Sequence, residues 1–97
     1  MVSEKVTIKD GSGLHLRPAG IFCKEAMKFK SHISFSTKNT IANAKSVLSI
    51  LGACVKSGDE IEISCEGEDE VEALETLVKA ANIGFIEYDN MKNENKL

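Results

Sequence analysis

Apolar and polar residues alternate in three segments of the chain, and a period of two is typical of strands with one buried face. Near the start, Val6 and Ile8 alternate with polar neighbours. The same pattern predicts strands over residues 33–37 and 61–65. A short strand over residues 40–43 follows the Lys38-Asn39 pair, which we interpret as a tight turn. The alternation therefore predicts four strands.

The first helix is predicted by a change of period after the loop at residues 10–13. Pro18 is tolerated in a helix only within the first turn, where its missing N–H has no partner to lose. The helix should therefore begin close to His15, as its N-cap, and continue to about Phe29. Its buried stripe is predicted from apolar residues at helical spacing: Ala19, Phe22, Cys23, Ala26 and Phe29.

Two further helices are predicted from capping residues and apolar spacing. Ser46 is a suitable N-cap for a short helix that ends before Gly52. Asp69 and Glu72 have the spacing of a capping box for a last helix, which Gly84 should end. The predicted core stripe of that helix consists of Val71, Leu74, Val78 and Ala81.

The resulting order, β-α-β-β-α-β-α, indicates an α+β fold. A four-stranded, mostly antiparallel sheet with three helices on one face would bury the alternating apolar residues. We expect one domain over residues 1–88. Residues 89–97, DNMKNENKL, are polar and without period, and are predicted to form a disordered tail.

Charge is distributed unevenly along the chain. Residues 1–58 contain nine Lys and Arg against three Asp and Glu, a net of +6, whereas residues 59–97 have a net of −9. The basic part favours an anionic ligand or an acidic partner surface. Nucleic acid is a weaker interpretation, because the basic residues are neither clustered nor interleaved with aromatic ones.

Several classes of protein are disfavoured by composition. No apolar run has the length of a membrane span, and the first residues lack the apolar segment of a secretory signal. Cys23, Cys54 and Cys65 form neither a CxxC pair nor a disulfide framework. We therefore expect reduced thiols, a cytoplasmic location and no membrane insertion.

The stretch GLHLRPAG, residues 13–20, contains the candidate chemistry. The first N–H groups of a helix lack intrahelical partners and attract phosphate. A neutral His15 ring there would be a nucleophile, and Arg17 would neutralise a phosphoryl group that it accepts. The alternative for His15 is a solvated residue or a simple cap.

Other site chemistries find little support in the sequence. Nothing at metal-ligand spacing accompanies His15, and a Walker A sequence is absent, so no metal or cofactor is expected. A core this small predicts no deep pocket, which argues against a self-contained enzyme. His32 is expected at the surface.

Seven residues near His15 allow two interpretations. They either form a docking patch or are buried, and periodicity favours neither. The seven are Leu16, Gly20, Lys24, Met27, Val47, Leu48 and Leu51.

GLHLRPAG resembles the active-site signature of the HPr family, the histidine-containing phosphocarriers of the bacterial phosphoenolpyruvate-dependent sugar phosphotransferase system. The resemblance runs in register over residues 2–86, and NAKSVLSILG resembles the family's regulatory serine segment. It implies an open-faced β-sandwich and a carrier that is not itself an enzyme.

The resemblance also implies roles for particular residues. His15 would accept a phosphoryl group on Nδ1 from enzyme I and pass it to the IIA domains of sugar permeases. Arg17 would stabilise the phosphate and Pro18 would fix the helix start. The seven-residue patch would dock partners, which supports the exposed interpretation, and a monomer is expected.

For Ser46, the resemblance implies phosphorylation by an HPr kinase/phosphorylase and a link to a regulator of carbon catabolite repression. A helix N-cap is the simpler role. Two alternatives to the sugar carrier remain open: a regulatory interaction protein that acts mainly through Ser46, and a paralogue in a nitrogen-related phosphorelay.

The chain departs from the family pattern at a few positions. Leu16 stands where a small residue is common, and Gly20 replaces a more usual alanine or threonine. Cys54 would lie near the active-site surface. Oxidation sensitivity and a packed thiol are its two interpretations, and the packed thiol is favoured.

Overall fold

The computed structural model describes residues 1–94. Within these residues the predicted order of elements is confirmed, with one helix added at the end. The elements are β1 (Val2–Thr7), α1 (Leu16–Ala26), β2 (His32–Ser36), β3 (Ile41–Asn43), α2 (Val47–Gly52), β4 (Glu60–Glu66), α3 (Glu70–Ile83) and α4 (Phe85–Glu94).

The four strands form one sheet in the order β1-β4-β2-β3, and all three pairings are antiparallel. On β4, Ile61, Ile63 and Cys65 are buried while the residues between them are partly or fully exposed. This is the alternation expected of a sheet with one face on the core. The predicted α+β class is confirmed.

The core lies between this face of the sheet and the buried faces of α1 and α3. Phe22 of α1 is at its centre. Its ring stacks on Phe35 of β2, with centroids 5.4 Å apart, and on Phe85 of α4, with centroids 4.8 Å apart. These contacts join the sheet, the first helix and the last helix.

The start of α3 differs from the prediction. Asp69 is at the N-cap position, but its carboxylate accepts hydrogen bonds from the backbone N–H groups of Lys30 and Ser31 and from the Ser31 hydroxyl. The Ser31 hydroxyl and the Lys30 N–H hold the pKa of Asp69 below its usual value. The predicted capping box with Glu72 is therefore wrong, because the carboxylate serves the loop before β2.

The core stripe of α3 was predicted correctly except at its first member. Val71 is 58% exposed, whereas Leu74, Val78 and Ala81 are buried. Ala73 and Leu77 also face the core.

The predicted disordered tail is wrong for residues 89–94, which belong to α4, and the predicted domain boundary at residue 88 falls inside this helix. Gly84 ends α3 with φ +104°, and the Asp10 carboxylate then accepts hydrogen bonds from the N–H groups of Phe85 and Ile86. The polar composition of residues 89–97 gives no indication of these tertiary contacts. Residues 95–97 of the predicted tail lie outside the described residues.

Among residues 1–94, none of the helices combines the length and the apolar character that crossing a bilayer would require.

Candidate functional site

His15 is the N-cap of α1, as predicted. Its backbone is extended (φ −74°, ψ −172°), and its carbonyl accepts the first helical hydrogen bond, from Ala19 N–H at 2.9 Å. The ring is exposed and makes no side-chain cap hydrogen bond. Within residues 1–94, no hydrogen bond occupies either ring nitrogen. A nucleophilic lone pair is thus accessible from solvent.

Two backbone N–H groups point out of the first turn of α1 beside His15. Those of Leu16 and Arg17 have no hydrogen-bond partner within residues 1–94. Pro18, the next residue, has no N–H and is buried. Partnerless amides at the positive end of a helix dipole are an anion-binding arrangement.

The loop before His15 is fixed against the segment after α2. Leu14 N–H donates to the Val55 carbonyl at 3.0 Å, and Gly13 N–H donates to the Asp10 carbonyl at 2.9 Å. Gly13 has φ +72°, and a Cβ added there would overlap the Val55 carbonyl oxygen. Glycine is therefore required at position 13 both for the turn and for this close approach.

Arg17 is exposed on the first turn of α1. Its guanidinium is 3.5 Å from the side-chain oxygen of Asn90 on α4. The arginine that the sequence assigned to phosphate stabilisation is thus in contact with the last helix. Neither Asn90 nor its helix was part of the predicted site.

An open depression of about 440 Å³ lies beside His15. Its lining is mostly apolar and comes from the start of α1 and from the end of α2 with the segment that follows: Leu14, His15, Leu16, Leu51, Cys54, Val55 and Lys56. Cys54 is exposed, so the expectation of a packed thiol is wrong. It has φ +55°, a left-handed backbone that residues other than glycine rarely adopt.

The seven residues proposed for docking are largely accessible. Leu16, Met27 and Leu48 are 70%, 62% and 82% exposed, and Lys24 is exposed as well. Val47, Leu51 and Gly20 are half-buried. Because α1 packs against α2, these residues lie on neighbouring helices, and exposed apolar groups of this size are typical of contact surfaces.

Ser46 is the N-cap of α2, as predicted. Its Oγ accepts a hydrogen bond from Ser49 N–H at 3.2 Å. The preceding Lys45 donates from Nζ to the Phe29 carbonyl at 2.7 Å, which joins the start of α2 to the turn that follows α1. The simpler role predicted for Ser46 is confirmed. Its phosphorylation stays a prediction.

Sequence reasoning missed a buried carboxylate on α1. Glu25 is 1% exposed and pairs with Lys28 at 2.8 Å and Lys92 at 2.9 Å, while the Tyr88 hydroxyl donates to it at 3.1 Å. Burial acts to raise the pKa of Glu25, but the hydrogen bonds from Lys28 and Lys92 outweigh it and the pKa is lowered. The available signal was a lone acid three positions after Phe22, on the buried face.

The sequence of the chain matches one family model over most of its length. A model described as the PTS HPr component phosphorylation site covers residues 2–82. The HPr-like protein Crh of Bacillus subtilis is 39% identical over 77 residues, which cover 79% of this chain and 91% of Crh. The phosphocarrier protein HPr of Haemophilus influenzae is 41% identical over 78 residues, covering 80% and 92%.

The fold matches solved structures equally well. HPr-C-His from Thermoanaerobacter tengcongensis superposes with a TM-score of 0.83 at 38% identity. The match covers 86% of this chain and 93% of that one. The family model ends at residue 82, three residues before α4 begins.

Proposed function

The chain belongs to the HPr family of phosphocarrier proteins, and on that premise we propose that it carries phosphoryl groups on His15 between proteins of the sugar phosphotransferase system. As a phosphocarrier it is a reactant of its partner enzymes and not an enzyme itself. In this proposal enzyme I is the donor, and IIA domains of sugar permeases are the acceptors.

The observation that supports this proposal best is the position of His15. In the part of the chain that the structure describes, the exposed imidazole at the N-terminus of α1 has no hydrogen-bond partner, and neither have the adjacent amides of Leu16 and Arg17. In the forward step, the Nδ1 lone pair attacks phosphorus and forms a P–N bond while the bond from phosphorus to the donor breaks. The two amides then donate to the phosphoryl oxygens.

Arg17 is proposed to neutralise the phosphoryl charge. The side chain is exposed, and its contact with Asn90 is long, at 3.5 Å. A charge-assisted hydrogen bond to phosphate is stronger than a bond to a neutral amide, so phosphorylation of His15 favours rotation of the guanidinium towards the ring. Pro18 stabilises the start of the helix throughout, because its φ is fixed in the helical range.

The partner surface is proposed to be the exposed part of α1 and α2. The three most exposed apolar residues there, Leu16, Met27 and Leu48, would be covered on docking. Leu48→Ser is expected to raise the KM for this protein in enzyme I assays several-fold. Ile41→Ser, a change at an equally exposed apolar residue on β3, is the matched control.

A regulatory protein that acts mainly through Ser46 is a second candidate, because one relative is the HPr-like protein Crh. A pure regulator has no need of the histidine, yet this chain has His15 together with Arg17 and Pro18. The carrier role is therefore favoured. The two roles are compatible in one chain, since His15 and Ser46 are on different helices.

Intact-protein mass spectrometry after incubation with phosphoenolpyruvate and enzyme I tests the carrier role. The wild type and His32→Ala should gain one acid-labile phosphoryl group, and His15→Ala should gain none. A wild-type protein that stays unmodified by an active enzyme I would overturn the proposal. Acid-stable phosphate, obtained with ATP and a serine kinase and lost in Ser46→Ala, would instead support the regulator.

A further inference from the structure

The last helix is fixed on α1 at both of its ends. At its start, the ring of Phe85 stacks on Phe22 at 4.8 Å between centroids. Further along, the Tyr88 hydroxyl donates to the buried Glu25 at 3.1 Å, and Lys92 pairs with the same carboxylate at 2.9 Å. Residues between Phe85 and Lys92 are thus held over α1 with little freedom to move away.

Two residues of this held segment contact the cations of the site. Asp89 Oδ1 is 3.2 Å from Lys24 Nζ, and Asn90 Oδ1 is 3.5 Å from the Arg17 guanidinium. The Asp89 side chain is 17% exposed and that of Lys24 is 59% exposed. Lys24 and Arg17 therefore reach solvent on one side and α4 on the other.

We infer that Asp89 and Asn90 are positioning residues that engage Lys24 and Arg17 in the free protein and must release them when an acidic partner surface docks. The inference rests on the proposed function, in which these two cations face the phosphoryl donor. An ion pair with one solvent-exposed partner, here Lys24, is weak, so a partner carboxylate can replace Asp89 without unfolding the helix.

Asp89 therefore competes with the partner for Lys24, and this competition lowers the apparent affinity for partners. While Asp89 occupies Lys24, only a fraction of the molecules presents a free ammonium group, and the apparent affinity falls by that fraction. Because α4 begins beyond the region that the family model covers, the family pattern does not include this contact. Asp89 is then a determinant of partner affinity that belongs to this chain.

The test is the enzyme I-dependent phosphorylation rate as a function of the concentration of this protein, with Asp89→Asn as the main variant. We expect KM to fall about two- to fivefold, with kcat unchanged, since a partly exposed pair is worth a small factor. Asp89→Glu should restore the wild-type KM. In a Lys24→Gln background, Asp89→Asn should have no effect.

Glu87→Gln is the matched control. It removes the same charge from an exposed position of the same helix, and Glu87 makes no ion pair within residues 1–94. Asn90→Ala should also lower KM, with the exposed Asn93→Ala as its control. High salt should diminish the effect of Asp89→Asn.

The outcomes separate this inference from the proposed function. Equal effects of Asp89→Asn and Glu87→Gln on KM would show that the loss of any negative charge from α4 has this effect. That result would overturn the inference. So would a raised KM or a lowered kcat in Asp89→Asn. A wild-type protein that accepts no phosphoryl group would instead remove the proposed function on which the inference rests.

Discussion

The Asp10 carboxylate accepts a hydrogen bond from the backbone N–H of Phe85 at 2.8 Å, across 75 positions of sequence. Its second oxygen accepts from Ile86 N–H at 3.0 Å. One side chain from the loop before His15 thus caps the last helix. The conformation of that loop and the attachment of α4 are therefore coupled through a single buried carboxylate.

Removal of this cap is predicted to destabilise the protein. Asp10→Ala should lower the free energy of unfolding by about 1–2 kcal/mol, because two N–H groups at the start of α4 lose their acceptor. Asp10→Asn keeps one acceptor oxygen and should cost less. Urea denaturation measures both. Lys9→Ala, an exposed neighbour, is the control, and a loss as large as that of Asp10→Ala would contradict the capping role.

Glu25 is predicted to make stability depend on pH in the acid range. Its folded pKa lies below the ordinary value of 4.5, so its contribution is present above that value and is lost as pH falls through the folded pKa. Glu25→Gln should lower the free energy of unfolding at neutral pH by about 1–3 kcal/mol. The difference between the two proteins should shrink steadily below about pH 4.5.

Thermal or urea unfolding at a series of pH values makes this comparison. Asp69 also has a lowered pKa, but it titrates in both proteins and cancels in the difference. A difference that does not change with pH would show that Glu25 is not the group responsible.

The elements and the N-caps of α1 and α2 were predictable because their signals are local. Only a few neighbouring residues are needed to recognise the period of two in the strands, Pro18 in a first turn or Ser46 as an N-cap. The pairs Asp10–Phe85 and Glu25–Lys92 join positions 75 and 67 residues apart, so no local pattern contains them. The last helix was missed for this reason, since its polar sequence is held in place by distant contacts of this kind.

The exposure of the residues proposed for docking was predictable in part. Helical spacing placed Leu16 and Met27 on one side of α1, but spacing cannot distinguish a second buried face from an exposed one. The exposure of these side chains in the structure does so, because it depends on what α2 and α4 cover. The contacts of Asn90 with Arg17 and of Asp89 with Lys24 could not be predicted without knowing that α4 packs against α1.

The three cysteines are predicted to react at very different rates. Burial, together with the nearby charges of Asp69 and Glu70, raises the pKa of Cys65 to about 11. At about pH 8 only about a thousandth of such a thiol is the reactive thiolate, and the side chain is fully buried. Cys54 is exposed and Cys23 is half-buried.

Alkylation with iodoacetamide, followed by peptide mass spectrometry, checks this order. Cys54 should be modified first and Cys65 last, and the rate at Cys65 should rise steeply as urea unfolds the protein. Modification of Cys65 in native protein at a rate close to that of Cys54 would contradict its burial.

Ser46 variants are predicted to separate the effect of losing the N-cap from the effect of adding a negative charge. Ser46→Ala removes the acceptor for Ser49 N–H and should cost about 1 kcal/mol of stability, whereas Ser46→Asn and Ser46→Asp keep an acceptor. Only Ser46→Asp adds a negative charge beside the exposed Leu48, and it should raise the KM in the enzyme I assay several-fold, less so at high salt. If Ser46→Asn raised KM equally, the shape of the side chain rather than its charge would be responsible.

If Ser46→Ala alone raised KM, the partner would require an intact α2. The expected order, with Asp impaired and Asn and Ala near wild type, would identify charge at position 46 as sufficient to slow transfer through a histidine on another helix.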